Sequence, residues 1–154
     1  MRPLAENKKA YFNYQILEKF EAGIVLLGHE VKSIKLGRII LAGSYVVLKD
    51  GEAYLINAGI PPYQPKNIPQ EYDPSRQRKL LLKKKEIKYL IGKTRQKGLT
   101  LVPLKMYIKK RKVKLEFGVA KGKKKVDKRE LIKKREIQKD IERELKSRLD
   151  KDFL

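Results

Sequence analysis

Val113-Lys-Leu-Glu-Phe-Gly-Val119 sets Val113, Leu115, Phe117 and Val119 in alternation with Lys114, Glu116 and Gly118. Successive side chains of a strand leave on opposite faces. Strict alternation therefore marks a half-buried antiparallel strand with one face on a core and the other in water. The run passes into Gly118-Val-Ala-Lys-Gly-Lys-Lys-Lys-Val-Asp-Lys-Arg129, and a highly charged helical pattern follows to Leu154. The chain thus reads as a compact β domain, residues 1–120, carrying a detachable basic arm, residues 121–154. A domain that docks and an arm that reaches elsewhere are the parts of an adaptor rather than of an enzyme with one closed pocket.

Working upstream, Leu99–Ile108 pairs with this strand across Lys109-Lys-Arg-Lys112 to form a hairpin. The plainest hairpin is Ser44–Lys49 and Glu52–Ile56 around Asp50-Gly51, a dipeptide that accepts the positive φ angles of a type I′ turn. Tyr14–Leu27 predicts a long strand bent at Gly23. Glu30–Leu36 predicts a short helix stopped by Gly37, and Lys83–Lys97 a second helix stopped by Gly98. Between Asn57 and Lys79, Pro61, Pro62, Pro65, Pro69 and Pro74 forbid a regular central strand, so an excursion from the sheet is expected there. Several strands and two short helices in the first 120 residues point to a mainly β fold. An oligonucleotide-binding (OB) type antiparallel barrel with flanking helices fits best, because closure removes exposed strand edges.

In the arm, Ile137, Ile141, Leu145 and Leu149 recur every fourth residue, with Glu130/Lys134, Glu142/Lys146 and Glu144/Arg148 as i,i+4 pairs. The apolar stripe is one residue wide, so the predicted state is partly disordered when free and helical on a surface.

Lys plus Arg total 39 against 18 Asp plus Glu, a net charge of +21. Such self-repulsion favours a polyanionic partner that releases counterions on binding. Nucleic acid suits it better than a membrane, since no basic segment carries a wide Trp/Phe/Leu face. The chain has no cysteine, no apolar run long enough to span a bilayer and no apolar leader, which predicts a cytoplasmic monomer with no disulfides.

Catalytic readings fail on the residue inventory. One histidine, His29, and no cysteine cannot make a zinc set. Gly92-Lys93-Thr94 lacks the glycine five residues earlier that a phosphate-binding loop needs, because position 87 is Ile. Glu18, Glu21 and Glu30 have no partners at two-metal spacing, so a nuclease is disfavoured. Expected are no catalytic residues, no metal and no cofactor. Glu21 is an odd acid between Phe20 and Ala22. It either pairs with a lysine from a neighbouring strand or accepts hydrogen bonds from a guanine edge or 2′-hydroxyl, and the first is favoured. Arg76-Gln-Arg78-Lys79 reads as a cationic loop pinned by Leu80-Leu-Leu82. Lys8, Lys9 and Tyr11 combine cation and aromatic, which suits phosphates and exposed bases.

Five blocks carry a resemblance: Phe20-Glu-Ala-Gly-Ile-Val-Leu27, Gly28-His-Glu-Val-Lys-Ser33, Asp73-Pro-Ser-Arg-Gln-Arg-Lys-Leu-Leu-Leu82, Gly98-Leu-Thr-Leu-Val-Pro-Leu-Lys105 and Gly122-Lys-Lys-Lys-Val-Asp-Lys-Arg129. In order and spacing the chain resembles the bacterial small protein B (SmpB) family over nearly its whole length. That family partners transfer-messenger RNA in the rescue of stalled ribosomes. The resemblance implies an OB-type barrel without enzymatic activity that binds the elbow of the RNA's transfer-RNA-like domain. It also implies a tail that folds as a helix in the empty messenger channel by the small-subunit decoding centre, and delivery with elongation factor Tu. By position it ties Glu21, Leu81 and Lys83 to RNA binding, with Asn7, Lys9 and Tyr11 in a looser N-terminal match. Lys83 departs from the usual Asn or His. Gly122, Lys123, Lys124, Asp127, Lys128 and Arg129, with Lys121 before them, match the tail motif. Val126 departs where relatives carry His or an aromatic. Gly118 and Gly122 would let the chain bend away from the barrel. The alternative is a basic ribosomal or ribosome-assembly protein of the same barrel class.

Overall fold

The computed structural model describes residues 3–64, 71–123 and 135–143. Its chain contacts divide into two units, Met1–Gly122 and Lys123–Leu154. In the first, ten elements follow one another: β1 (Ala5–Glu6), α1 (Lys8–Asn13), β2 (Tyr14–Ile24), α2 (Gly28–Lys35), β3 (Tyr45–Lys49), β4 (Glu52–Ile56), β5 (Arg78–Leu81), α3 (Lys84–Thr94), β6 (Leu99–Lys109) and β7 (Lys112–Gly122). In the second, residues 135–143 are helical. Leu145, Leu149, Glu130/Lys134, Glu142/Lys146 and Glu144/Arg148 involve positions outside the described residues.

All pairings are antiparallel, in one seven-stranded sheet ordered β1-β6-β7-β2-β5-β4-β3. The sheet curls until Cα atoms of β3 lie within 8 Å of those of β6, without a ladder between them. It is an OB-like barrel, nearly but not fully closed by hydrogen bonds. The alternation in β7 is realised: Leu115, Phe117 and Val119 are buried with Ala22, Leu55, Leu80, Leu101 and Met106 in the interior. Burial of a Phe such as Phe117 stabilises by about 2–3 kcal/mol. A second, smaller cluster lies outside the barrel, where Ala10 of α1 covers Val102, Leu104 and Ala120.

The Asp50-Gly51 turn has φ of 53° and 73°, and β3 pairs β4 as expected, ending at Lys49↔Glu52. Gly37, at φ 73°, closes α2, its amide bonding Ile34 O at 2.8 Å and that of Arg38 bonding Ser33 O at 3.1 Å.

Other boundaries move. β2 stops at Ile24, and its irregularity lies between Ile16 and Glu18 instead of at Gly23. α2 begins at Gly28, two residues before the expected start, because the Glu30 carboxylate reaches back to the Leu27 amide at 2.8 Å. α3 ends at Thr94, and Gly98 (φ 84°) belongs to the turn that launches β6. β7 runs to Gly122, where it pairs with Tyr14. Gly118 is therefore no hinge. A Cβ there would sit 2.9 Å from the Glu18 carbonyl oxygen and from Ile16 Cγ2, so the glycine serves close strand-to-strand approach. Three elements were not foreseen: β1, α1 and β5. The last was hidden because its inward positions are Arg78 and Leu80, which breaks the apolar pattern.

Candidate nucleic-acid interface

Strand parity places one set of side chains on the outer face of the barrel. Glu21 of β2 lies opposite Glu116 of β7, and Gly23 lies between Lys114 of β7 and Leu81 of β5. Lys105 and Tyr107 of β6 stand opposite Glu116 and Lys114. Of the sequence-predicted residues, Glu21 and Leu81 thus share a face, and Leu81 is 54% exposed although apolar. Gly23 permits this, since a Cβ there would press on Leu81 Cβ at 3.3 Å. Lys79 is exposed two residues before Leu81 and pairs with Glu52 at 3.5 Å. Lys83 is also exposed; its backbone amide bonds Glu86 at 3.2 Å and starts α3.

The Glu21 carboxylate accepts a short hydrogen bond from the Tyr107 hydroxyl and lies 3.4 Å from Lys109 Nζ. The Tyr107 bond, reinforced by Lys109, holds the Glu21 carboxyl below the usual range. Burial, with the bond to Glu21, pushes the Tyr107 phenol up. Glu21 is thus an ionised acceptor, and its lysine comes from the second strand over rather than the adjacent one. Its side chain keeps 34% exposure, so lone pairs remain open to a donor. Next to it, Glu116 lies 3.3 Å from Lys105 Nζ without hydrogen-bond geometry, which leaves its Oε2 without a hydrogen bond.

Around this face the β6–β7 hairpin supplies Lys109, Lys110, Arg111, Lys112 and Lys114. A groove of about 300 Å³ runs between its Arg111–Lys114 segment and an apolar floor of Ile24, Leu26, Val31 and Leu81. Sequence reading treated the hairpin tip only as a connector. Cross-strand register, once the tip was fixed as two residues, would have put Lys114 opposite Tyr107.

The N-terminal candidates separate. Asn7 is buried and structural, its amide nitrogen donating to Pro103 O at 3.0 Å and its backbone amide to Leu104 O at 2.7 Å. Tyr11 is 40% exposed on α1, with Lys19 Nζ 5.9 Å from its ring centroid, and Lys9 is exposed. Lys19 precedes Glu21 by two residues, so Tyr11 adjoins the same face.

Arg78 requires a correction: it has no exposed surface and cannot meet a phosphate. Its guanidinium donates to Glu30 at 2.6 and 2.9 Å, to Ala58 O at 2.6 Å and to Pro74 O at 2.9 Å. Arg76, 29% exposed, also binds Glu30, and Tyr72 donates to it at 2.9 Å. These bonds overcome the burial that would raise it and hold the Glu30 carboxyl at about 2. Glu30 thus fastens the proline-rich excursion to α2. His29 packs edge-on against Tyr72 at 4.5 Å in the same knot. Glu18 accepts from Tyr89 at 2.5 Å, far from a metal role. Among the described residues no group of three or more His, Cys, Asp or Glu could hold a metal, and no helix is long and apolar enough to cross a membrane.

Lys121 and Gly122 end β7, paired with Leu99 and Tyr14, and Lys123 is half-buried after them. Lys124, Val126, Asp127, Lys128 and Arg129 lie outside the described residues.

This chain is 54% identical to the SsrA-binding protein of Carboxydothermus hydrogenoformans over 145 residues, 94% of this chain and 97% of that one. It is 49% identical to the SsrA-binding protein of Thermosynechococcus vestitus over 96% and 97% of the two chains. A solved structure described as "tmRNA-SmpB: a journey to the center of the bacterial ribosome" superposes with a TM-score of 0.65 at 50% identity. It covers 78% of this chain and 84% of that one. The family model for SmpB protein matches residues 4–147. Because that match spans most of the chain, and the relatives align over 94% and 96% of it, the chain belongs to the SmpB family.

Proposed function

We propose that the chain is an RNA-binding adaptor: its barrel holds the transfer-RNA-like domain of transfer-messenger RNA and brings that RNA to stalled ribosomes for trans-translation. The observation that carries this reading is the outer face, where an ionised Glu21, an exposed Leu81 and the basic hairpin stand together. Cations alone bind any polyanion. A carboxylate acceptor and an exposed apolar side chain add base-edge and stacking contacts, which favour a folded RNA with unstacked bases. Lys79, Lys83, Lys9 and Tyr11 extend the face, while Arg76 contributes only its exposed part. Asn7 acts by seating α1.

The residues from Lys121 onward, including Lys123, Lys124, Val126, Asp127, Lys128 and Arg129, form the ribosome-facing tail in this reading. They enter the empty messenger channel near the decoding centre and become helical there. Elongation factor Tu joins the delivery complex. The protein acts by binding, without catalysis, in the cytoplasm and as a monomer. Residues 135–143, helical with Ile137 and Ile141 both exposed, suit a segment that gains its apolar contacts from a partner.

Sequencing the RNA that co-purifies with the protein from cells tests the reading. One dominant transfer-RNA-like species is expected. Ribosomal RNA alone, in stoichiometric amount and without that species, would replace it with a ribosome-assembly role.

A further inference from the structure

Beside the unfastened junction of β3 and β6 lies a cavity of about 380 Å³, and none of its lining residues lines the groove by the β6–β7 hairpin. Residues 7–14, 43–45 and 100–102 supply its walls. Its most buried polar side chain is Asn7, only 6% exposed. Asn7 spends its Nδ2 on Pro103 O at 3.0 Å, while its Oδ1 is buried and accepts no hydrogen bond. A buried acceptor left unmet costs free energy, and a fold that keeps one has a place for a donor from outside.

The rest of the lining can hold what brings that donor. The side chains of Asn13, Tyr14, Tyr45 and Thr100 form no hydrogen bond with any described residue. Lys9, exposed, is the one charged residue of the lining. The volume falls within the roughly 300–1,000 Å³ of small-ligand sites. Burial sets an order along the cavity, with the acceptor deep and the ammonium in water. A fitting occupant carries an N–H donor at its inner end, an anion at its outer end, and a flat body to lie against phenol rings. An amino acid holds its donor and its carboxylate on one carbon, so it cannot place them at opposite ends. A sugar phosphate has no flat body. A nucleotide whose base bears an exocyclic amine has all three parts. One cation in the lining matches one phosphate group, as on a free nucleotide rather than a link in a chain.

We propose that this cavity binds a free nucleoside monophosphate, its exocyclic amine donating to Asn7 Oδ1 and its phosphate on Lys9. The site is independent of the RNA-binding role above. The bound nucleotide joins α1 to the start of β3, at the side of the sheet that has no ladder.

The test is calorimetric titration of the full chain, free of RNA, with adenosine 5′-monophosphate. One-to-one binding is expected, and ligand at a hundredfold excess over its dissociation constant should raise the melting temperature by about 5–10 °C. Purine riboside 5′-monophosphate, which lacks only the amine, should bind roughly tenfold or more weakly, because Asn7 Oδ1 then stays unmet. Changing Asn7 would also loosen α1, so the variant is Thr100→Val, which deletes one lining hydroxyl. Its nucleotide affinity should fall about 2–10-fold while its affinity for the transfer-RNA-like domain stays at wild type. Absence of heat and of a melting shift would overturn the proposal. So would equal binding of the analogue without the amine, equal binding of inorganic phosphate, or tighter binding of oligoadenylate than of the monophosphate. None of these results bears on the adaptor reading, which stands or falls on the co-purifying RNA.

Discussion

Glu30 and Arg78 face one another with no exposed side-chain surface on either. Removing one partner of a buried, hydrogen-bonded pair leaves an uncompensated charge, which costs about 3–5 kcal/mol. The pH dependence has a definite sign. Glu30 titrates near 4.5 in the unfolded chain and at about 2 in the folded one. Its contribution is therefore full above about 4.5 and disappears as pH falls toward 2. The shift corresponds to about 3 kcal/mol. Urea midpoints of wild type and E30Q should differ clearly at pH 7 and converge as pH approaches 2; a gap independent of pH would refute this origin. The sequence supplied these residues but not their roles. Arg76, Arg78 and Lys79 look equivalent in a row. Only β5 parity turns Arg78 inward and Lys79 outward, and that strand exists because Gly23 and Ile24 wait to pair with it. Glu21 was legible as an anomaly, yet its strongest partner, Tyr107, lies 86 positions away.

At the scale of elements, the two hairpins were readable because turn chemistry and two-residue alternation are local. The elements missed owe their existence to distant partners. β1 has two residues and holds by pairing with β6, and α1 has six, too few to persist alone. α1 rests on Asn7 and on the Ala10 contact outside the barrel. The same layer explains Gly118, which sits buried beneath it in β7. Gly118→Ala should force β2 and β7 apart locally and destabilise by about 1–3 kcal/mol, read as a lower thermal midpoint. Gly122→Ala, with no heavy atom within 4 Å of the added Cβ, should be nearly neutral by comparison. Equal effects would mean that close approach is not what the first glycine provides.

For the molecule as a whole, the proposed division between a gripping barrel and a reaching arm yields a truncation experiment. β7 continues to Gly122, so the cut belongs after that residue rather than before Lys121. Removal of 123–154 should leave binding to the transfer-RNA-like domain within about threefold while abolishing tagging of proteins on stalled ribosomes. Loss of both in equal measure would show that arm and barrel share one binding surface. The barrel class was legible from the strand count and hairpins. The unfastened junction was not, because whether the last strand meets the first depends on accumulated twist. That junction has a mechanical consequence. β3 is bonded on one side only, so a row of its backbone amides and carbonyls faces outward. The wall of the vessel is therefore less tightly held at this slit, while β2 and β7 are laced on both flanks beneath the proposed nucleic-acid face.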